Sequence, residues 1–395
     1  MISTFQNREE ALNELCTPVT QSPLLNVYGE AGIGKSRLLK QAVFELQQRR
    51  TSAALVFRVD LEPLAKIESG RVEALLRAII EQSQGRLHSV WHNVEQVAGK
   101  LVIQLSDLAA HTPVYLMFDT TEALQEDMVF WEWLQEHFIE PLVIDGRVKQ
   151  IFAGRVPVPW RRFELRRNVK LLPIGPIKTY TAITDLIKEQ LEKGNPNLQD
   201  DNVRDEAVDL VLEFSFGHPG LSEKIAEYVA PRWPVESPED FEIELCKDVV
   251  KPFINQFLFE DIEPLWNEIL WWASVLDWFD TTILQRYLGQ LELEQVKGEP
   301  DYFFIQGIAR LRTKNTVVWR EEHGDRLHGV LRDIVRQCLK TMDPARYRKA
   351  CSKVAETFQS IADEFVDEKD YAEQYSKQAE LYQRRADNIK EKNNG

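Results

Sequence analysis

At 395 residues, with 44% hydrophobic and 28% charged side chains, the chain has the length for two or three domains and the balance of an ordinary soluble globular protein. Its 48 Lys and Arg against 63 Asp and Glu leave a formal charge of −15, which argues against nucleic acid as the main partner; its richest apolar run, Ile269 to Leu276, is broken by Asp277 far short of the roughly eighteen residues of a membrane span. Four scattered cysteines, Cys16, Cys246, Cys338 and Cys351, read as buried reduced thiols, and with an N-terminus lacking a signal peptide's apolar core they place the chain in the cytoplasm, with no membrane partner.

Leu12 and Leu15 stand at helical spacing in a first helical segment that opens near Phe5. The apolar run Leu24 to Tyr28 then leads directly into Gly29-Glu30-Ala31-Gly32-Ile33-Gly34-Lys35-Ser36, a full match to G-x-x-x-x-G-K-[ST], followed by a helical pattern from Leu38 to Phe44. Strand, phosphate loop and helix in that order make a nucleotide site. Gly29, Gly32 and Gly34 let backbone N–H groups face the phosphates, with Ile33 and Arg37 beside them and the positive end of the helix behind. Lys35 would neutralise the β- and γ-phosphates, and Ser36 would hold Mg²⁺ through its hydroxyl. The first segment therefore has two readings, an ordinary capped helix or an edge element bringing Asn7 and Arg8 to the base or ribose, and its residues leave both open.

Ala53 to Val59 is a second strand, and helical patterns follow from Val72 to Ile80 and from Val94 to Leu108. Val114 to Phe118 is a third strand, closed by Asp119. After a phosphate loop this is the pattern of a Walker B element, in which the strand is buried and the carboxylate reaches Mg²⁺ through Ser36 or a water; the alternative is a buried strand ending in an Asp turn. The next position is Thr120 instead of a second acid, and the nearest carboxylate is Glu122, so slow hydrolysis is expected. A helix from Met128 to Phe138 leads to the strand Lys149 to Ala153 and then Gly154-Arg155. Arg155 can sense a γ-phosphate if that strand lies between those of the phosphate loop and Asp119; otherwise it is a surface arginine. Arg161, Arg162, Arg166 and Arg167 read as a solvated basic loop or a contact across a subunit interface. With Val169 to Leu172 as a fifth strand, strands and helices alternate as in a parallel three-layer α/β sheet.

From Ile177 on, the pattern is helical: Tyr180 to Leu191, Val203 to Phe214, and a helix opened by Gly217-His218-Pro219. Pro231 to Pro238 reads as a linker. Helices at Leu265 to Leu276, Thr281 to Leu288 and Tyr302 to Leu311, a hairpin from Thr316 to His328, and a helix from Val330 to Leu339 have the order of a winged-helix domain. Amphipathic stretches follow through Tyr347 to Phe365 and Tyr371 to Ala386, and a polar tail from Lys390 is expected to be disordered.

Taken together, the order of Asn7-Arg8-Glu9, the phosphate loop, Asp119, Arg155, Gly217-His218-Pro219 and Leu327-His328-Gly329 resembles the STAND ATPases, which include NB-ARC and NACHT immune receptors and bacterial signalling proteins. A bacterial member is expected. The resemblance covers residues 1–345. It implies an α/β P-loop NTPase of ASCE type with a five-stranded parallel sheet (1–174), an α-helical lid (175–234), a winged-helix domain (235–344) and C-terminal helices (345–395). It implies that Pro219 packs on adenine, that His328 meets the β-phosphate of ADP and locks the winged helix onto the nucleotide domain, and that Glu122 stands where NACHT members carry a distal acid. Without the resemblance His328 is a buried core histidine. Leu327 and Gly329 depart from the family's Met and Asp, and Thr120 from its second acid. Lys35, Asp119, Glu122 and Arg155 are then the catalytic set, with Ser36 and Asp119 on Mg²⁺. ATP and ADP are the ligands. The expected function is a switch, closed on ADP and opening to self-associate on ATP, with effector and sensor in trans or on a longer chain. The rivals are a DNA-binding regulator, for which the helix Asp301 to Arg310 is too apolar to read bases, and a fast remodelling ATPase.

Overall fold

The computed structural model describes residues 8–392 except 18, 20, 21, 49–53, 90–92, 197, 199, 261, 292, 315 and 321–323. The chain falls into two units, Met1–Gly175 and Pro176–Gly395.

In the first unit the short apolar runs become five parallel strands: β1 (Leu24–Tyr28), β2 (Leu55–Asp60), β3 (Val114–Asp119), β4 (Val148–Gly154) and β5 (Val169–Pro173). The sheet order is β2-β3-β4-β1-β5, so β4 lies between the phosphate-loop strand and the strand of Asp119. Period-two alternation divides β3 between two cores. Leu116 and Phe118 join Leu76, Leu101 and Trp131 on one face, and Tyr115 and Met117 join Leu15, Leu38 and Leu39 on the other. Helices cover both faces: α1 (Glu9–Cys16), α2 (Lys35–Gln48), α3 (Glu62–Ala65), α4 (Arg71–Gln82), α5 (Val94–Ala109), α6 (Met128–Leu134), α7 (Glu140–Asp145) and α8 (Phe163–Asn168). Sheets buried on both faces read as continuous apolar runs, and β3 and β4 are buried at every position. In β1, Asn26 is a buried polar anchor: its Oδ1 accepts from the Val158 N–H at 2.7 Å and its Nδ2 donates to Phe152 O at 3.3 Å, fixing the loop after β4.

Two local features differ from the sequence expectation. A π turn, Gln135–Ile139, joins α6 to α7 into one longer helix. The basic run after Arg155 is partly helical, as α8, and Arg162 pairs with Glu140 at 2.6 Å, so acidic side chains of the same unit answer its charge.

The second unit opens with α9 (Tyr180–Gly194), α10 (Asp201–Ser215) and α11 (Pro219–Val229). The proline-rich stretch that reads as a linker is packed: the Trp233 indole N–H donates to Val203 O at 2.9 Å and its ring stands edge-on to Phe241. Directly after it comes a helix absent from the sequence expectation, α12 (Pro238–Leu245), which continues through a π turn into α13 (Lys251–Phe253) and a second π turn ending at Leu258. Then follow α14 (Pro264–Ala273), α15 (Thr281–Gln290), α16 (Asp301–Thr313), the antiparallel pair β6 (Val317–Arg320) and β7 (Gly324–Leu327), and α17 (Gly329–Met342). Phe279 bridges to Asp325 of β7 through two backbone bonds. Last come α18 (Pro344–Glu364) and α19 (Lys369–Lys392), joined by the stacked rings of Phe358, Tyr375 and Tyr382. α19 runs three residues into the tail expected to be disordered from Lys390; residues 393–395 lie outside the described ones. One apolar cluster extends from Ile183 to Ala386. Asp277 ties α19 to α17 at its margin by accepting from Arg385 at 2.7 Å and Arg336 at 3.0 Å.

Candidate functional site

Parallel strands end together, and the register puts Tyr28 beside Gly154 and Asp60 beside Asp119. The residues that follow, Gly29, Arg155 and Thr120, therefore emerge at one edge of the sheet. The Gly29 N–H donates to Gly154 O at 3.3 Å, and Gly32 and Gly34 adopt φ of +71° and +96°, the left-handed region that disfavours a side chain. A Cβ on Gly29 would lie 2.2 Å from Ile174 O, so the loop hugs the end of β5. Ile33 anchors the loop in the core, and Arg37 is exposed on the first turn of α2.

Lys35 folds back under this loop, its Nζ donating to Gly29 O at 2.7 Å and Glu30 O at 2.8 Å. Burial pulls its ammonium down to about 8, with Glu122 raising it and Arg155 lowering it. A cation held out of water by two carbonyl dipoles gains from any anion that reaches it. Arg8 covers the other end of the loop. Its Nη2 donates to Gly175 O at 3.0 Å, its Nη1 stands 3.4 Å from where a Gly34 Cβ would be, and burial lowers it to about 10. Asn7 lies outside the described residues.

Asp119 is buried and its two oxygens are differently engaged. Oδ1 accepts from the Ser36 hydroxyl and the Thr120 N–H, both at 3.1 Å, while Oδ2 accepts from Arg58 Nη2 at 2.6 Å. Thr120 has φ of +58° and turns the chain into the short 3₁₀ segment Thr121–Leu124. That turn brings Glu122 under β4: its Oε2 accepts from the Arg155 N–H at 3.1 Å and its Oε1 lies 3.5 Å from Arg155 Nε. Gly154 is required here, since a Cβ would sit 2.0 Å from Thr121 Oγ1. The phosphate loop, Asp119, Glu122, Arg155 and Arg8 are thus one constellation.

Among the described residues no group of three or more His, Cys, Asp or Glu side chains can hold a metal ion by itself. The adjoining Ser36 hydroxyl and Asp119 carboxylate nevertheless fit Mg²⁺, an ion commonly bound through one or two protein oxygens together with nucleotide phosphates.

Pro219 and His328 belong to the second unit. Pro219 is buried at the first position of α11, after Gly217 in the left-handed region (φ +74°), whose Cβ would meet Ile177 O at 2.5 Å. Between them His218 is fully buried; its Nδ1 accepts from the Leu221 N–H at 3.2 Å and its ring stands edge-on to Phe253. His328 is half-buried at the start of α17, its N–H donating to Thr316 O at 3.0 Å, which differs from a fully buried core histidine.

Arg58 is the residue that the sequence reading omits. Its signal is a single charge inside the apolar run Leu55 to Val59, but its meaning depends on β2 lying beside β3.

Residues 24–198 match the NACHT domain family, a family of STAND-class P-loop NTPases. No curated protein matches. Among solved structures the chain is similar to Cdc6p from Pyrobaculum aerophilum, at 14% identity over 87% of this chain and 95% of that one, TM-score 0.40. It is also similar to a STAND protein with a tetratricopeptide repeat sensor from Pyrococcus horikoshii, at 12% identity over 100% and 66%, TM-score 0.33. A third is AMPPCP-bound DnaA from Aquifex aeolicus, at 15% identity over 87% and 96%, TM-score 0.39. The fold is that of an α/β P-loop NTPase. Among the described residues no helix is long and apolar enough to cross a membrane.

Proposed function

We propose that the chain is a nucleotide-controlled switch that holds ADP in a closed state and self-associates when ATP replaces it. The loop Gly29 to Ser36 binds the phosphates, Ser36 and Asp119 hold Mg²⁺, and Arg8 lines the site beside Gly34. Pro219 packs on adenine, and His328, at the start of α17 in the winged-helix region, contacts the β-phosphate. The boundaries follow the same logic: nucleotide domain 1–174, helical lid 175–234, winged helix 235–344 and C-terminal helices 345–395. Effector and sensor act in trans or on a longer chain.

The pairing of Arg155 with Glu122 at the end of β4 carries this reading. A γ-phosphate is an anion that competes with Glu122 for the guanidinium, so ATP and ADP leave Arg155 differently engaged, and a switch needs such a differential contact. Glu122 is also the nearest carboxylate able to orient a water, and its attachment to Arg155 favours slow turnover. Mg²⁺ supplies charge neutralisation for the phosphates when bound; the protein's part is to position them and exclude water.

Denaturing purified protein and identifying what it releases tests the reading. Wild type is expected to release ADP, Lys35→Ala to release none, and wild type loaded with an unhydrolysable ATP analogue to form a larger assembly in light scattering. Protein that binds no nucleotide, or keeps one size with either nucleotide, refutes the switch.

A further inference from the structure

Asp119 is neutralised by the protein itself. The carboxylate is 2% exposed, and its Oδ2 accepts from Arg58 at 2.6 Å on the side opposite the oxygen that serves Ser36. Arg58 is rooted by a side chain that acts as a strand partner on the free edge of β2: Gln82 accepts from the Arg58 N–H and donates to its C=O, each at 2.9 Å.

We propose that Arg58 is the resident counter-ion of Asp119 and that it makes nucleotide binding nearly independent of divalent metal. The inference rests on the reading of this edge as a nucleotide site. A Mg²⁺ held by Ser36 must share Asp119 with a cation already attached to it, and two cations on one carboxylate each bind less tightly than either alone. Lys35 meanwhile offers the phosphates a positive charge without any metal, and the N-terminus of α2 behind the loop adds its dipole. A diphosphate therefore gains most of its electrostatic hold from the protein, and Mg²⁺ adds little while Arg58 stays in place. Arg58 acts through Asp119 as a positioning residue and need not touch the nucleotide.

The test is the affinity of a fluorescent ADP analogue in Mg²⁺ and in EDTA, for wild type, Arg58→Gln and Arg58→Lys. The wild-type affinities are expected to agree within about threefold, whereas in Arg58→Gln Mg²⁺ should tighten binding by about tenfold or more. Arg58→Lys, which keeps the charge, should behave like wild type. Mn²⁺ titration of the ADP-loaded proteins, followed by the electron spin resonance of the free ion, should show correspondingly tighter metal binding in Arg58→Gln. Equal metal dependence in wild type and Arg58→Gln, with ADP still bound, overturns the inference alone. Wild type that binds no ADP in either condition overturns the nucleotide reading, and this inference with it.

Discussion

In the unit Met1–Gly175 the fold buries the charged residues Lys35, Asp119 and Lys149, whereas in Pro176–Gly395 Asp325 is the one charged residue among the described residues that is buried to the same degree. The second unit keeps its other charges at the margin, as in the cluster of Asp277 with Arg336 and Arg385, and fills its interior with aromatic and aliphatic side chains. A buried cation lowers stability unless it is paired, so the first unit gives up stability to hold charge where phosphates would come, while the second invests in packing. Single substitutions in each should expose the contrast.

The largest effect is expected in the helical unit. Gly307 of α16 lies against Trp266, and a Cβ there would approach a ring carbon to 1.6 Å; the ring cannot easily retreat, being stacked on Phe303 and edge-on to Phe304. Gly307→Ala should lose about 3 kcal/mol in urea unfolding, against the gain that alanine normally brings to a helix. A neutral or stabilising result would mean that α16 does not pack on Trp266.

Lys149 tests the first unit where charge serves structure. Its Nζ donates to Glu14 O at 2.5 Å and Thr17 O at 2.8 Å, closing the C-terminal end of α1, where helix carbonyls have no intrahelical partner. Lys149→Met should cost about 2 kcal/mol by stranding those carbonyls. Burial also holds the ammonium down at about 8, below its ordinary 10.5. Between those values the unfolded chain carries a proton that the native state lacks, so this group adds stability as pH rises through that window. The gap between wild type and Lys149→Met should therefore widen from pH 8 upward. A gap that stays flat with pH would place the native pKa of Lys149 near its unfolded one.

Much of this contrast was legible in the chain before folding, and the limits have physical causes. The phosphate loop and the strand closed by Asp119 are local patterns, and Ser36 and Asp119 do meet. Arg58 was invisible as a site residue because its role depends on which strand is its neighbour, and strand order is not encoded within any one strand. The helix from Pro238 to Leu258 was hidden by its prolines. Pro238 looks like the end of a linker but occupies the first helical position, where its missing N–H costs nothing. Pro252 should break a helix, yet the π turn Cys246–Val250 precedes it with one residue between, as the π turn Gln135–Ile139 precedes Pro141. In both cases the wider turn takes in the residue whose carbonyl a proline would otherwise strike, His137 or Asp248.

The smallest effect on stability, and the sharpest form of the comparison, comes from Lys35. It resembles Lys149 closely: buried, donating to two backbone carbonyls, and held down to about 8 by burial. The difference lies in what the carbonyls belong to. Those of Glu14 and Thr17 close a helix, whereas those of Gly29 and Glu30 belong to a loop whose N–H groups and glycines are arranged for a ligand. Lys35→Ala vacates enough volume for water to reach both carbonyls, so the loss of two bonds is offset by water and by relief of a desolvated charge. Its unfolding free energy should stay within about 1 kcal/mol of wild type while affinity for ADP falls by about a hundredfold or more, since hydrogen bonds from a charged donor to an ionised phosphate are among the strong ones. If Lys35→Ala instead lost as much stability as Lys149→Met and kept its ADP affinity, Lys35 would be a structural cap like Lys149, and the loop's ammonium would have no assignment to phosphate.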